Sequence, residues 1–256
     1  MGSFPAVNLS LMPTGQVMRP ESLLSLLGVE QCAVEYQPIV SLREERVYAY
    51  EALARFYGKR GESVSPLTVF QALHSNPALL GRTEFQLKWH QIASAPQDVR
   101  LFINLDPHAL TEEVQDSLMS LLTRQNNLVV ELIENTDLQD SKASLALYQA
   151  LRDKGVCCAL DDVGTQESLL SIDLMVAVEY LKFDRRWLGL LDRPEYERLF
   201  RHLLEFARAC GRKTILEGVE TAAQRQRMQD YPLDFIQGFL YRDRFIQSTR
   251  SNLYDR

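Results

Sequence analysis

From residue 33 to residue 237, short runs rich in Val, Ile, Tyr and Phe take turns with longer helical patterns. The spacing predicts strands at 33–40, 46–53, 99–105, 128–133, 156–160, 178–183, 213–216 and 234–237. It predicts helices at 20–28, 66–74, 78–95, 111–124, 141–154, around 168–172, 194–210 and 221–230. Strands joined through helices form a parallel sheet with right-handed crossovers. Only residues 41–45 separate the first two strands, too few for a crossover, so that pair is expected to be antiparallel. Eight strands point to closure into an α/β barrel with one reversed strand at its start. The open doubly wound sheet is the alternative; the Gly-rich turn GxGxxG that it would want is absent.

Composition narrows the function classes. Of 256 residues, 46% are apolar and 24% charged, enough for a full core and too ordered in type for a disordered chain. The formal net charge of −6 argues against non-specific binding to nucleic-acid polymer, which needs a positive field. No apolar run reaches the roughly 20 residues of a spanning helix, and residues 1–12 lack the basic start and apolar stretch of a signal peptide. The four cysteines form no CxxC pair and read as reduced thiols of a cytoplasmic protein. GxSxG and HExxH are missing. The Arg185-Arg186 and Arg225–Arg227 runs read as solvated helix faces.

The polar residues at the carboxyl ends of the strands are the informative ones. Glu51, Asn104, Glu131, Glu134, Asp161, Asp162, Lys182, Asp184, Glu217, Glu220 and Gln237 all stand there. In a barrel those ends meet at one rim, where barrel enzymes place their chemistry. Taken singly, each is an ordinary solvated, capping or ion-paired residue. Their agreement on every strand after the first is not. Glu51, Glu131, Asp161, Asp162 and Glu217 would bring five carboxylates together. At roughly 4 Å and an effective dielectric near 20, each like pair costs on the order of 4 kcal/mol. Such a group must protonate or take up cations, and oxygen donors with one amide suit Mg²⁺ or Mn²⁺ before Zn²⁺. Adjacent Asp161 and Asp162 suit two ions sharing a carboxylate, an arrangement fit for phosphodiester hydrolysis. Glu134 and Glu220 differ in strand parity from Glu131 and Glu217 and carry less weight.

Eight segments in this order resemble the EAL-domain family of bacterial cyclic-di-GMP phosphodiesterases. They are Tyr36-Gln37-Pro38-Ile39-Val40, Glu51-Ala52-Leu53-Ala54-Arg55, Phe102-Ile103-Asn104-Leu105, Glu131-Leu132-Ile133-Glu134, Leu160-Asp161-Asp162-Val163-Gly164-Thr165, Leu181-Lys182-Phe183-Asp184, Glu217-Gly218-Val219-Glu220-Thr221 and Gln237-Gly238-Phe239-Leu240. The resemblance implies a modified (β/α)8 TIM-like barrel whose first strand is antiparallel. It implies that Glu51, Asn104, Glu131 and Asp161 hold one Mg²⁺ or Mn²⁺, and that Asp161 bridges to a second ion held with Asp162 and Glu217. Lys182 and Glu217 would position or deprotonate the attacking water. Gln37, Arg55, Asp184 and Gln237 would serve the substrate, with Glu134 and Glu220 in support. The reaction implied is hydrolysis of cyclic di-GMP to linear pGpG.

The sequence departs from the family pattern after the paired aspartates. Where the family usually has DDFGTGYSSL, Val163, Gln166 and Glu167 replace the Phe, the second Gly and the Tyr. The HPxxG stretch after Arg55-Phe56 and the proline after Gln237-Gly238 are also missing. A weakly active or inactive domain serving as a cyclic-di-GMP receptor or protein-interaction module is the alternative expectation. The organisation expected is an irregular lead-in at 1–20, the barrel at 21–245 and a tail at 246–256. No sensory or cyclase domain is read in the chain, so a homodimer or a regulatory protein partner is expected to control it.

Overall fold

A computed structural model describes residues 24–25, 27–132, 138–166 and 171–252, with the backbone alone described at 138–141. The expected lead-in, Glu134 and most of the helix expected around 168–172 lie outside these residues.

Eight strands close a barrel. In chain order they are β1 (Gln31–Ser41), β2 (Val47–Tyr57), β4 (Arg100–Asn104), β5 (Leu128–Leu132), β6 (Cys157–Val163), β7 (Tyr180–Phe183), β8 (Lys213–Leu216) and β9 (Phe235–Gln237). β1 pairs antiparallel with both β2 and β9, and the other neighbours are parallel. The reversed first strand thus follows from the short connection at 41–45. Two further pieces decorate the barrel. β3 (Ser63–Val64) extends β2, and β10 (Ile246–Gln247) pairs with β1. Ser251 bridges Cys32, so part of the segment read as a tail is fastened to the barrel wall.

The helices are α1 (Pro66–Leu73), α2 (Pro77–Ala93), α3 (Gln115–Thr123), α4 (Leu138–Arg152), α5 (Ile172–Ala177), α6 (Arg186–Leu190), α7 (Pro194–Ala209) and α8 (Ala222–Met228). Among the described residues, no helix is long and apolar enough to cross a membrane. α7 shows how the sequence builds one. Pro194 opens it, and Phe200, Leu204 and Ala207 put a stripe at i, i+4, i+7 against the sheet. Phe200 meets Phe183 and Trp187 there at ring-centroid distances of 5.2 and 5.0 Å.

Inside the barrel each strand contributes one residue to a buried plug: Ile39, Ala49, Phe102, Val129, Ala159, Tyr180, Ile215 and Phe235. Strand side chains alternate faces, so the next inward residue lies two positions along. Toward the carboxyl ends of β2 and β4–β9 that residue is Glu51, Asn104, Glu131, Asp161, Lys182, Glu217 and Gln237. On β1, which runs the other way, it is Gln37, opposite Glu51. The pleat alone stacks one wholly polar layer on one wholly apolar layer.

Candidate active site

Lys182 sits at the centre of the polar layer, fully buried. Its Nζ lies 2.6 Å from Glu131 Oε1, 2.8 Å from Glu217 Oε1, 2.9 Å from Asp161 Oδ1 and 3.5 Å from Glu51 Oε2. Burial works against its charge, but Asp161, Glu131, Glu217 and Glu51 overcome it and hold the ammonium well above the ordinary lysine value. The buried Glu51 carboxylate accepts from Asn104 Nδ2 at 3.1 Å and from Gln237 Nε2 at 2.6 Å. Burial would raise its pKa; Lys182 and these two donors outweigh that and lower it. Gln237, expected at the substrate, therefore steadies Glu51.

Asp161 and Asp162 are neighbours and would face opposite sides of a regular strand. A bulge resolves this. Leu160 pairs with Leu181 and Val163 with Phe183, leaving two residues of β6 against Lys182 alone. Asp162 takes the left-handed conformation, with φ 57°. One oxygen each from Asp161, Asp162 and Glu217 then lie within 4.8 Å of one another. Gly164 follows at φ 91°; a Cβ there would stand 2.5 Å from Trp187 Nε1, which donates to Val163 O at 2.8 Å. That indole backs the segment in which the sequence departs from the family pattern. Asp184 accepts the Arg186 N–H at 2.9 Å at the start of α6. Exposed Glu220 belongs to the turn before α8, where Thr221 and Gln224 cap each other reciprocally.

Arg55 and Gln37 meet on Glu35, which stands away from the carboxyl end of its strand. Glu35 Oε1 accepts from Arg55 Nη2 at 2.6 Å and from Gln37 Nε2 at 3.0 Å. It aims two groups expected to hold substrate. Among the described residues, two clefts open from the layer. One, of about 290 Å³, runs between Gln37, Arg185, Gly218 and Phe239. The other, of about 610 Å³, runs from Glu51, Arg55 and Asn104 toward α1 and α2. His74 Nε2, 2.5 Å from Asp106 Oδ2, and the buried Glu84–Lys88 pair, 2.7 Å apart, line the second cleft.

The donor set fits divalent cations. Five carboxylates face one lysine, and Glu131 Oε2 is buried without a hydrogen-bond donor. Burial first, and then neighbouring carboxylates, push Glu131 and Asp161 upward, Asp162 to about 6 and Glu217 to about 8, with Lys182 opposing throughout. The folded, metal-free protein thus keeps protons that the unfolded chain has released. These groups favour the fold at acid pH, and the contribution is lost as pH rises through about 6 and then about 8. A divalent ion held by these carboxylates would take the protons' place. The rise in melting temperature given by saturating Mn²⁺ should therefore grow between about pH 5.5 and about pH 8.5. A constant or shrinking increment would show that the carboxylates are not what binds the metal.

Comparison with known proteins agrees with this architecture. The EAL domain family model matches residues 21–243. The probable cyclic di-GMP phosphodiesterase PdeB of Escherichia coli is 31% identical over 219 residues, covering 81% of this chain and 42% of PdeB. PdeG of the same organism, also described as a probable cyclic di-GMP phosphodiesterase, is 28% identical over 218 residues, 80% of this chain and 43% of PdeG. The chain thus spans less than half the length of these relatives. Among solved structures, the Klebsiella pneumoniae BlrP1 manganese/cy-diGMP complex superimposes with a TM-score of 0.68 at 24% identity, covering 82% of this chain and 55% of that one.

Proposed function

The chain belongs to the EAL domain family, and from that premise we propose that it is a metal-dependent phosphodiesterase hydrolysing cyclic di-GMP to linear pGpG. The observation that carries this reading is the polar layer itself, in which every barrel strand presents a residue of the type the reaction needs. Glu51, Asn104, Glu131 and Asp161 would hold one Mg²⁺ or Mn²⁺, and Asp161, Asp162 and Glu217 a second. When bound, such ions lower the pKa of water and offset charge on phosphoryl oxygens. Arg55, aimed by Glu35, offers a planar fork of donors to a phosphate. Lys182, kept as an ammonium by its carboxylate neighbours, supplies positive charge rather than removing a proton. Glu217, at the open edge of the layer, is the group suited to receive the proton of the attacking water as one ester P–O bond gives way to the new one.

Loss of the Glu35 carboxylate should show in binding before chemistry. Glu35→Gln keeps the shape but weakens the charge-assisted bond to Arg55. The KM for cyclic di-GMP should rise by about tenfold, with kcat changed far less. Steady-state kinetics with unchanged KM would remove Glu35 from this account.

The second reading is a receptor or protein-interaction module, favoured by Val163 and Gln166 in the altered segment. Turnover with product identification separates the two. pGpG appearing only with Mg²⁺ or Mn²⁺ supports the enzyme. Tight binding of cyclic di-GMP without product at high protein concentration supports the receptor. We extend the proposal to a cytoplasmic setting, a barrel domain at 21–245, and control through a homodimer or a regulatory protein partner, with neither nucleic-acid polymer nor membrane as a ligand.

A further inference from the structure

At the end of the barrel opposite the carboxylates, the turn between β1 and β2, the end of α7 and the approach to β9 enclose a cleft of about 440 Å³. Arg43, Arg46, Arg208, Arg212 and Lys213 line it, against two acids, Glu44 and Asp234. On a chain with a formal net charge of −6, that is a local excess of three positive charges.

Both acids are already engaged. Asp234 takes Lys213 Nζ at 3.2 Å, and Thr214 through its N–H at 3.0 Å and its hydroxyl at 3.1 Å. Glu44 is bound by Arg46. The Arg43 and Arg208 side chains have no ion pair or hydrogen bond among the described residues. Arg212 gives Nη2 to Val176 O at 2.7 Å, and its Nε is buried with no acceptor. Two of the last carbonyls of α7 are taken by backbone N–H groups rather than by these cations. Gly211, at φ 68°, turns the chain so that Arg212 N reaches Ala207 O at 2.8 Å and Gly211 N reaches Arg208 O at 3.1 Å. Tyr48, stacked on Phe235 with ring centroids 4.0 Å apart, forms an aromatic wall.

We propose that this cleft binds a small phosphate-bearing anion of the pyrophosphate or nucleoside-polyphosphate class. Guanidinium forks with unused donors match phosphate oxygens, and the volume is that of a small-molecule pocket rather than a peptide groove. The site is independent of the carboxylate layer and does not rest on the phosphodiesterase reading.

Calorimetry with inorganic pyrophosphate on the metal-stripped chain tests it. Saturable binding is expected, weakened by added salt and reduced more than about tenfold in Arg43→Glu/Arg208→Glu, while Arg55→Ala leaves it intact. Arg43→Ser/Arg208→Gln provides a milder pair should charge reversal disturb folding, with unchanged circular dichroism as the control. No saturable binding, undiminished binding in both double variants, or tighter binding of a polyglutamate peptide than of pyrophosphate would each overturn the proposal.

Discussion

Lys182→Met should destabilise the metal-free protein by roughly 3–5 kcal/mol, the cost of removing one partner from a buried charge group. Methionine fills much the same space, so the loss is electrical rather than steric. Without the ammonium, Glu131, Asp161, Glu217 and Glu51 face one another with no ion-pair partner left among the described residues. Their escape is protonation, which becomes harder as pH rises, so the penalty should be larger at alkaline than at acid pH. Added Mn²⁺ should recover part of the loss, because an ion can supply the missing charge. Urea unfolding of the stripped proteins measures all three effects. A methionine variant as stable as the parent would mean that these carboxylates do not need a cation.

Asp161→Asn should do the reverse. It removes one negative charge from a crowded group, so the metal-free fold should keep its stability or gain some. Turnover of cyclic di-GMP should fall on the order of 10³-fold, the scale seen when a preorganised charge-stabilising group is lost from a site. The stabilisation by Mn²⁺ should fall with it, because Asp161 is the carboxylate shared by both proposed ligand sets. Parallel assays of product formation and melting temperature give both numbers. Retained turnover in a folded variant would take Asp161 out of the reaction. The contrast between the two substitutions is informative: one breaks the fold's electrical balance, and the other leaves the fold intact while emptying it of chemistry.

Much of this layer was legible in the sequence because strand parity is a rigid rule. Once a strand is placed, Glu131 and Val129 must share a face, and so must Lys182 and Tyr180. Parity could not place Asp162, since a bulge with a left-handed residue breaks the alternation and aspartate signals that conformation only weakly. Glu35 was passed over for a different reason. Parallel strands bring their carboxyl ends to the mouth, but β1 runs against the others and brings its amino end there. Its inward positions there are Gln37 and Glu35, and only a resemblance pointed to Gln37. The cleft walls formed by His74, Asp106, Glu84 and Lys88 come from helix faces and loops, where one-dimensional spacing says little about convergence. β3, β10 and α6 are too short to leave a periodic trace.

The most direct test is an anomalous-difference map at the manganese absorption edge, from crystals grown with Mn²⁺. The account predicts one peak bounded by Glu51, Asn104, Glu131 and Asp161, and a second among Asp161, Asp162 and Glu217. A map with no manganese at these carboxylates, and Lys182 alone still balancing their charge, would contradict it.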